Sequence, residues 1–444
     1  MRNIISGMAY FFATALAILI VLVIIATLNM QRLSFTGNGA EDYAEDGELF
    51  PPAPEDLNTT DFLQSGDNNP PDNYNRPPSE NENNAANSQN LNSQNLSAAG
   101  ETPIFNANAV YYAGDLELPV NGASGYTSVD IEMTFTDFSA STKLKAGTAF
   151  RIIEEDGKWW VIELGDGRTG WVEHITCMIN LPDVIPSVIY NNANAYMSKF
   201  RASGKDIPNI TGKTLYLYED VTDGLPAIHH NGRAYNVRLQ SYEYIVPVLY
   251  SMAKRICAAQ RDALEHGDTL IIYEGFRPYD VQQLVFREVQ RLSNDPEAGA
   301  EVKKGLNTYP WSIGWFIASG TSNHQEGYAI DTSLGRVVSS NEMSAGDYKY
   351  EKAKDYYEYD MPTEIHDLGM AAATYTSPNS GIYTASMNDS EHAKDLQRYC
   401  VNAGLSPLAS EWWHFNDENT RRSMPLRGSG KYEIKECLSR PPVK

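Results

Sequence analysis

The chain reads as an α+β protein, and three observations predict this. A stretch from about residue 104 to 180 is rich in β-branched and aromatic residues broken by short Gly-containing turns. A longer stretch, 181–444, mixes helical periodicities with isolated short strands and shows no regular β-α-β alternation. The first hundred residues fit neither pattern. They divide into an apolar run and a polar, Asn/Pro/Ser-rich tract.

The chain has 444 residues, more than one typical domain holds. The hydrophobic fraction of 42%, with 11% aromatics, is ample for a packed core. The formal net charge of -22 excludes a nucleic-acid partner as the expectation, because binding phosphates needs a basic surface. Nothing in the sequence points to a protein partner. Residues 41–100 hold roughly a dozen acids against a single basic residue, Arg76, so part of the imbalance belongs to a tail.

Met8 to Leu28 is almost unbroken apolar sequence. About 20 helical residues span a hydrocarbon core of about 30 Å. The run is longer than the apolar region of a signal peptide, which covers roughly 7–15 residues, and no clear cleavage site follows it. Residues 1–32 are therefore expected to be a cytoplasmic tip and an uncleaved transmembrane signal anchor. Arg2 and Arg32 flank the span almost evenly. The soluble, acidic bulk downstream places the C-terminal part outside the cell. Residues 33–103 cannot bury enough apolar surface to offset the entropy of ordering and are expected to be a disordered spacer. About 70 flexible residues reach roughly 45 Å.

In 104–180 the runs IEMTFTDF, TAFRIIEE, KWWVIEL and TGWVEHI are expected strands, separated by turn signals at Gly147, Gly157, Gly165, Gly167 and Gly170. Short strands at this spacing suggest a small all-β barrel. The segment from Leu144 to Val172, with its Trp159-Trp160 pair and its Gly-Arg-Thr-Gly-Trp-Val end, resembles a bacterial SH3-like domain. In exported proteins such domains often attach to peptidoglycan peptides. The alternative is that Trp159, Trp160 and Trp171 simply fill the barrel core.

In 181–444, the spacing of apolar residues predicts a helix over Val248–His266 with Gly267 as its stop, a strand over Leu270–Tyr273, and a helix over Tyr279–Leu292 with Pro278 at its start. Asn388-Asp389-Ser390 is the expected cap of a further helix ending near Gly404. Cys177, Cys257, Cys400 and Cys437 form no C-x-x-C pair, so a thiolate metal site is not expected. Cys400 with Cys437 is the first pair to expect in a disulfide outside the membrane, with buried free thiols as the alternative.

The chemistry lies in two short segments. Ser322 to Asp331 reads S-N-H-Q-E-G-Y-A-I-D, and Glu411 to His414 reads E-W-W-H. A catalytic zinc wants three protein ligands and one open position. His324, Asp331 and His414 would supply two imidazoles and a carboxylate. Gly327 lets the backbone turn between the first two, and Tyr328-Ala329-Ile330 can run as a strand that presents Asp331. Glu411 is the candidate base for a water acidified by the metal. Its spacing of three from His414 suits a helical turn or a bent strand, not a regular one. Arg277, in the turn Gly-Phe-Arg-Pro, can face a developing oxyanion, although alone an Arg at such a turn reads as a surface salt bridge.

Together these segments resemble the vancomycin-resistance type zinc D-alanyl-D-alanine carboxypeptidases and dipeptidases. S-N-H-Q-E-G-Y-A-I-D is similar to the S-x-H-x-x-G-x-A-x-D zinc motif of that family, and S-E-W-W-H-F to its second motif. G-F-R-P-Y resembles its Arg-Pro turn, I-P-N-I-T-G-K-T-L-Y from Ile207 its opening segment, and Y-D-M-P-T-E a substrate-side segment. The resemblance covers about 200–250 residues in scattered blocks. It implies a small antiparallel sheet flanked by helices, and a mononuclear Zn2+ site on His324, Asp331 and His414. It also implies Glu411 as base, Arg277 as electrophilic partner, and Ser322 and Asp360 near the substrate. The tandem Trp412-Trp413 favours the dipeptidase branch. The anchor and the SH3-like module favour removal of D-Ala from peptidoglycan stem peptides at the cell-wall side of the membrane. A non-catalytic peptidoglycan-binding wall protein is the reading from a different class. Segments 302–318 and 335–359 match neither branch and are expected to shape the cleft.

Overall fold

The computed structural model describes residues 116–443, except 193, 196, 217–231 and 425. The expected anchor Met8–Leu28 and the spacer to residue 103 lie outside the described residues, and so does 104–115 of the expected barrel. No helix among the described residues is long and apolar enough to cross a membrane. Helices alternate with mainly antiparallel sheets along the chain.

The first strands are β1 (Ser124–Thr127), β2 (Ile131–Phe135), β3 (Ser141–Leu144), β4 (Ala149–Asp156), β5 (Trp159–Leu164), β6 (Thr169–Glu173) and β7 (Cys177–Asn180). All four runs expected from sequence contain a strand. The turns at Gly147 and Gly167 have φ of +85° and +84°, a conformation that glycine adopts without steric cost. Alternation sends Phe150, Ile152, Trp160 and Ile162 inward. It also splits the tandem Trp pair. Trp160 is buried against Phe150, while Trp159 is 39% exposed under the Lys158 ammonium.

The middle of the chain holds α1 (Leu181–Val184), β8 (Ile189–Tyr190), β9 (Arg201–Ala202), β10 (Lys205–Asp206), β11 (Ala234–Asn236), β12 (Ser241–Glu243) and β13 (Pro247–Leu249). β13 adds to the first sheet, whose order is β13-β7-β1-β4-β5-β6-β2-β3, so sheet hydrogen bonding runs across residue 180.

The remaining elements are α2 (Tyr250–Glu265), β14 (Asp268–Glu274), α3 (Tyr279–Ser293), α4 (Gly299–Leu306), α5 (Asn323–Glu326), β15 (Ala329–Ala345), β16 (Tyr348–Glu358), β17 (Asp367–Leu368), α6 (Ala385–Asp389), α7 (Glu391–Asn402), β18 (Ser406–Leu408), β19 (Glu411–Asn416) and α8 (Glu418–Ser423). The predicted helices form within two residues of the expected ends. Ser390 caps α7 by accepting from Ala393 N at 3.2 Å. The second sheet runs β18-β19-β15-β14-β8, with β16 paired to the outer part of β15; only β8 is parallel to its neighbour. Helices α2 and α7 lie against each other beside this sheet. All four cysteines are buried and none is in a disulfide, so the expected Cys400–Cys437 bond does not form. Cys400 sits in α7, whereas Cys437 is drawn to the first sheet, within 3.6 Å of Ser124 Oγ.

Candidate metal centre and its cavity

Three adjacent strands and a short helix converge at one point. In β15, Asp331 stands directly opposite His414 of β19. On its other side Asp331 faces Glu274 of β14, because a bulge at Tyr273 shifts that strand by one residue. His324 comes from α5, which ends at Gly327 with φ +83°. This left-handed step turns the chain straight into β15, and the Gly327 carbonyl accepts from Leu249 N at 2.7 Å.

The spacing problem at Glu411 is solved by a bent strand. β18 pairs Pro407 with Phe415 but Leu408 with Glu411, so the extra residues on β19 bulge out. In a regular strand residues three apart face opposite ways. Here Glu411 and His414 line the same cavity, with Glu411 Oε2 3.7 Å from His414 Nδ1.

The donor chemistry shows what the cluster is built to hold. His324 Nδ1 lies 2.8 Å from the Gly275 carbonyl, which can only accept, so Nδ1 carries the hydrogen and Nε2 presents a lone pair. His414 Nε2 lies 2.9 Å from Asn416 Oδ1, which also accepts from Asn323 Nδ2 at 2.8 Å. The His414 lone pair is therefore on Nδ1. His324 Nε2 and His414 Nδ1 are 3.2 Å apart, and the nearest Asp331 oxygens lie 3.4 and 3.0 Å from them. Three electron-pair donors converge, all buried. Such a set needs a cation at its centre: either a second proton on His414 or a metal ion. His324, Asp331 and His414 form a group that could hold a metal.

The electrostatics follow from burial and these contacts. Burial lowers the His324 pKa, so its neutral, ligating form is favoured. Burial pushes His414 down too, but its hydrogen bond and charge interaction with Asp331 outweigh this and the net shift is upward. Burial alone would raise the Asp331 carboxyl; the charge and hydrogen bond of His324, with hydrogen bonds from His366 and His414, hold it well below the usual carboxylate range. Burial pushes the Glu411 carboxyl up to about 8, with His414 pulling it down and Asp331 adding to the rise.

Arg277 is not a surface residue. Its guanidinium is 4% exposed and paired with both oxygens of Glu274, with Nε to Oε1 at 2.9 Å. Nη1 donates to Gln282 Oε1 at 2.6 Å, and Nη2 reaches Asp331 Oδ2 at 3.3 Å. Burial would lower its pKa, but Glu274 and Asp331 hold it raised, so it stays cationic.

These groups line a cavity of about 270 Å³. Ser322 lies on its wall at the N-cap of α5, its backbone N donating to Gln325 Oε1 at 2.6 Å. Trp315, Phe316 and Ile317 form an apolar side, pinned where Gln282 Nε2 donates to Ala318 O at 2.9 Å and Ser410 Oγ to Trp315 O at 2.5 Å. Segment 302–318 thus contributes to the cleft as expected. Segment 335–359 does not: it forms the β15–β16 hairpin, whose Ala345, Tyr348 and Tyr350 cluster with Leu118 and Leu239. Asp360 is also a correction. It is exposed at the end of that hairpin and does not line the cavity, because the chain turns inward only from Ile365.

Sequence reading overlooked Glu274, Gln282, His366 and Asn416. Glu274 directly precedes the Gly-Phe-Arg-Pro turn, and Asn416 lies two residues after His414 in β19; each was legible only as a neighbour of a named residue. His366 had no signal beyond its place six residues after Asp360. Comparison of the chain with protein-family models gives no match, and a search among curated proteins gives none either. The fold and the site define a mixed helix-and-sheet protein whose second sheet carries a buried His-Asp-His cluster able to hold a metal ion.

Proposed function

We propose that the chain is a membrane-anchored, extracellular zinc metallopeptidase that hydrolyses the terminal D-Ala-D-Ala bond of peptidoglycan stem peptides. The observation that carries this reading is the convergence of His324, Asp331 and His414 with Glu411, Arg277 and Ser322 around one cavity. A structural metal site would be closed by its ligands, whereas a catalytic one faces open space. Bonds of about 2.0–2.1 Å from zinc to nitrogen would place two tetrahedral corners about 3.3–3.4 Å apart, close to the 3.2 Å between His324 Nε2 and His414 Nδ1. The N-terminal apolar run, the spacer and the SH3-like sequence pattern support the extracellular placement and the cell-wall substrate.

His324 and His414 present lone pairs fixed by Gly275 O and Asn416 Oδ1, and Asp331 adds one negative charge. Bound there, zinc supplies Lewis-acid polarisation of the scissile carbonyl and acidification of water. Glu411, beside His414, takes the proton from the attacking water and hands it to the leaving amine. Arg277, clamped by Glu274 and Gln282, is a fixed cation at the cavity wall that stabilises the negative charge developing on the carbonyl oxygen. Ser322, on the cavity wall, offers its hydroxyl to the substrate backbone. Strict D-Ala-D-Ala dipeptidase activity is the second reading, favoured by the small cavity: about 270 Å³ falls just under the range of roughly 300–1,000 Å³ usual for ligand pockets.

The test is to purify the full-length chain, measure bound zinc, and assay D-Ala release from a pentapeptide stem and from D-Ala-D-Ala. The proposal expects about one zinc, lost in His324→Ala and His414→Ala, and release from the pentapeptide. Cleavage of the dipeptide alone would select the second reading. No hydrolysis of either substrate by the zinc-loaded chain, with binding to sacculi, would select the non-catalytic wall protein.

A further inference from the structure

Among the described residues, His366 is the one buried imidazole that faces the site and has no part in the mechanism above. It is fully buried and lines the cavity. Its backbone has φ +62°, a left-handed conformation that His, like Asn and Asp, adopts more readily than other residues with a side chain. Three aromatic contacts set its ring plane. It stacks on Phe200 at 4.4 Å with 9° between planes, and it meets Trp413 at 6.1 Å and Tyr273 at 6.4 Å edge-on. The His366 carbonyl accepts from Arg201 N at 3.0 Å, fixing the residue between β9 and β17. The ring makes one polar contact within hydrogen-bond reach: Nε2 lies 3.0 Å from Asp331 Oδ2, while Nδ1 has no partner. The Glu274 carboxylate stands further off, at 3.9 Å.

Asp331 therefore has two unlike oxygens. Oδ2 receives His366 Nε2 and, at 3.3 Å, Arg277 Nη2. Oδ1 faces His414 Nδ1 at 3.0 Å, while His324 Nε2, a lone pair and not a donor, lies 3.4 Å from Oδ2. A carboxylate free to rotate can offer a metal both oxygens, and the extra bond would occupy the position a reacting group needs. A carboxylate whose second oxygen is held by two outside donors can offer only one. We infer that His366 is a positioning residue: its Nε2–H, together with Arg277, holds Asp331 Oδ2 so that Asp331 serves as a one-oxygen ligand through Oδ1. The inference rests on the reading of His324, Asp331 and His414 as a metal triad. The left-handed backbone, the stacked ring and the single polar contact together fix the imidazole where such a role places it.

The experiment uses the full-length chain and two substitutions that separate the hydrogen bond from the fold. His366→Gln keeps an amide N–H near the position of Nε2 but suits a left-handed backbone poorly. His366→Asn suits that backbone better, yet its amide is too short to reach Asp331. Metal-free thermal stability, affinity for Zn2+ and the visible spectrum of the Co2+-loaded chain are measured for each. The expected result is crossed. His366→Asn keeps its stability but binds metal about 10- to 100-fold more weakly, with a weaker Co2+ band from a site expanded beyond four ligands. His366→Gln is less stable yet keeps the affinity and spectrum of the parent within a few-fold. Affinity that simply follows stability, or that changes in neither variant, overturns the role of His366 while leaving the triad standing. Failure of the parent chain itself to bind Zn2+ or Co2+ overturns both.

Discussion

Glu411 is the residue on which chemistry and stability oppose each other. Its carboxyl is buried beside Asp331, so burial and like charge hold its proton on to about pH 8 in the metal-free chain, against an ordinary value of 4.5. An unfolded chain releases that proton near 4.5. Between these values the folded form binds more protons than the unfolded one, so Glu411 costs stability as pH rises. Unfolding of the metal-free chain and of Glu411→Gln should therefore diverge in favour of the variant from about pH 4.5 to 8 and run parallel above. A constant gap across that window would mean that Glu411 titrates normally. In the metal-loaded chain, Glu411→Gln should keep its zinc and lose about 10²- to 10⁴-fold in kcat, the usual weight of a general base. Full activity in that variant would remove Glu411 from the mechanism.

At the scale of elements, the site depends on irregularities more than on regular structure. Bulges in β14 and β19 bring Glu274 and Glu411 to face the same point as Asp331 and His414. The left-handed Gly327 closes α5 and sets where His324 stands. A Cβ at Gly327 would lie 3.0 Å from Met178 Sδ and 3.3 Å from Leu249 Cγ. Gly327→Ala adds the left-handed penalty of about 1–2 kcal/mol and pushes α5 off its seat. The expected result is a chain that still folds, with lower thermal stability and weaker zinc binding, read by calorimetry and metal titration. Parent-like zinc affinity would show that α5 tolerates the shift.

For the described residues as a whole, the C-terminal segment ties the first sheet to the site. Tyr432 stacks on Phe276 of the Arg277 turn at 5.1 Å and covers Gly147 of the first sheet. Gly430 O accepts from Tyr279 N at 2.9 Å. Further along, fully buried Arg238 donates to the carbonyls of Pro119, Asn121, Asp183 and Arg440, the last at 3.3 Å. The Asp183 carboxylate in turn accepts from Ser124 N, Asn236 Nδ2 and Ser439 Oγ. Burial lowers the Arg238 pKa to about 10, and Asp183 opposes that shift. Arg238→Met leaves four carbonyls without their donor and removes the positive charge whose interaction with buried Asp183 opposes the fall in its pKa. Loss of a buried charge partner typically costs about 3–5 kcal/mol, so denaturant unfolding should report a loss of that order. A loss under about 1 kcal/mol would show that the tail is held by its apolar contacts alone.

The sequence by itself determined the local elements and the chemical identity of the triad. Periodicity located α2 and α3, strand-type runs between glycine turns located β4 to β6, and a cap signal at Ser390 located α7, because spacing and caps are local properties. His324, Asp331, His414, Glu411 and Arg277 were legible as residue types in short segments. Tertiary structure alone decided how they are held. That Glu411 and His414 share a face depends on a bulge, set by the register of the β18–β19 pairing, which hydrophobic spacing does not reveal. That Arg277 is buried depends on Glu274 and Gln282 meeting it from β14 and α3. His366 enters, and Asp360 stays outside, because the chain turns inward only after the β15–β16 hairpin ends. Cys400 and Cys437 stand apart because the tail crosses to the first sheet. The bulge and the Arg277 clamp are near in sequence but depend on register and side-chain direction; the places of His366, Cys400 and Cys437 rest on contacts between segments tens to hundreds of residues apart.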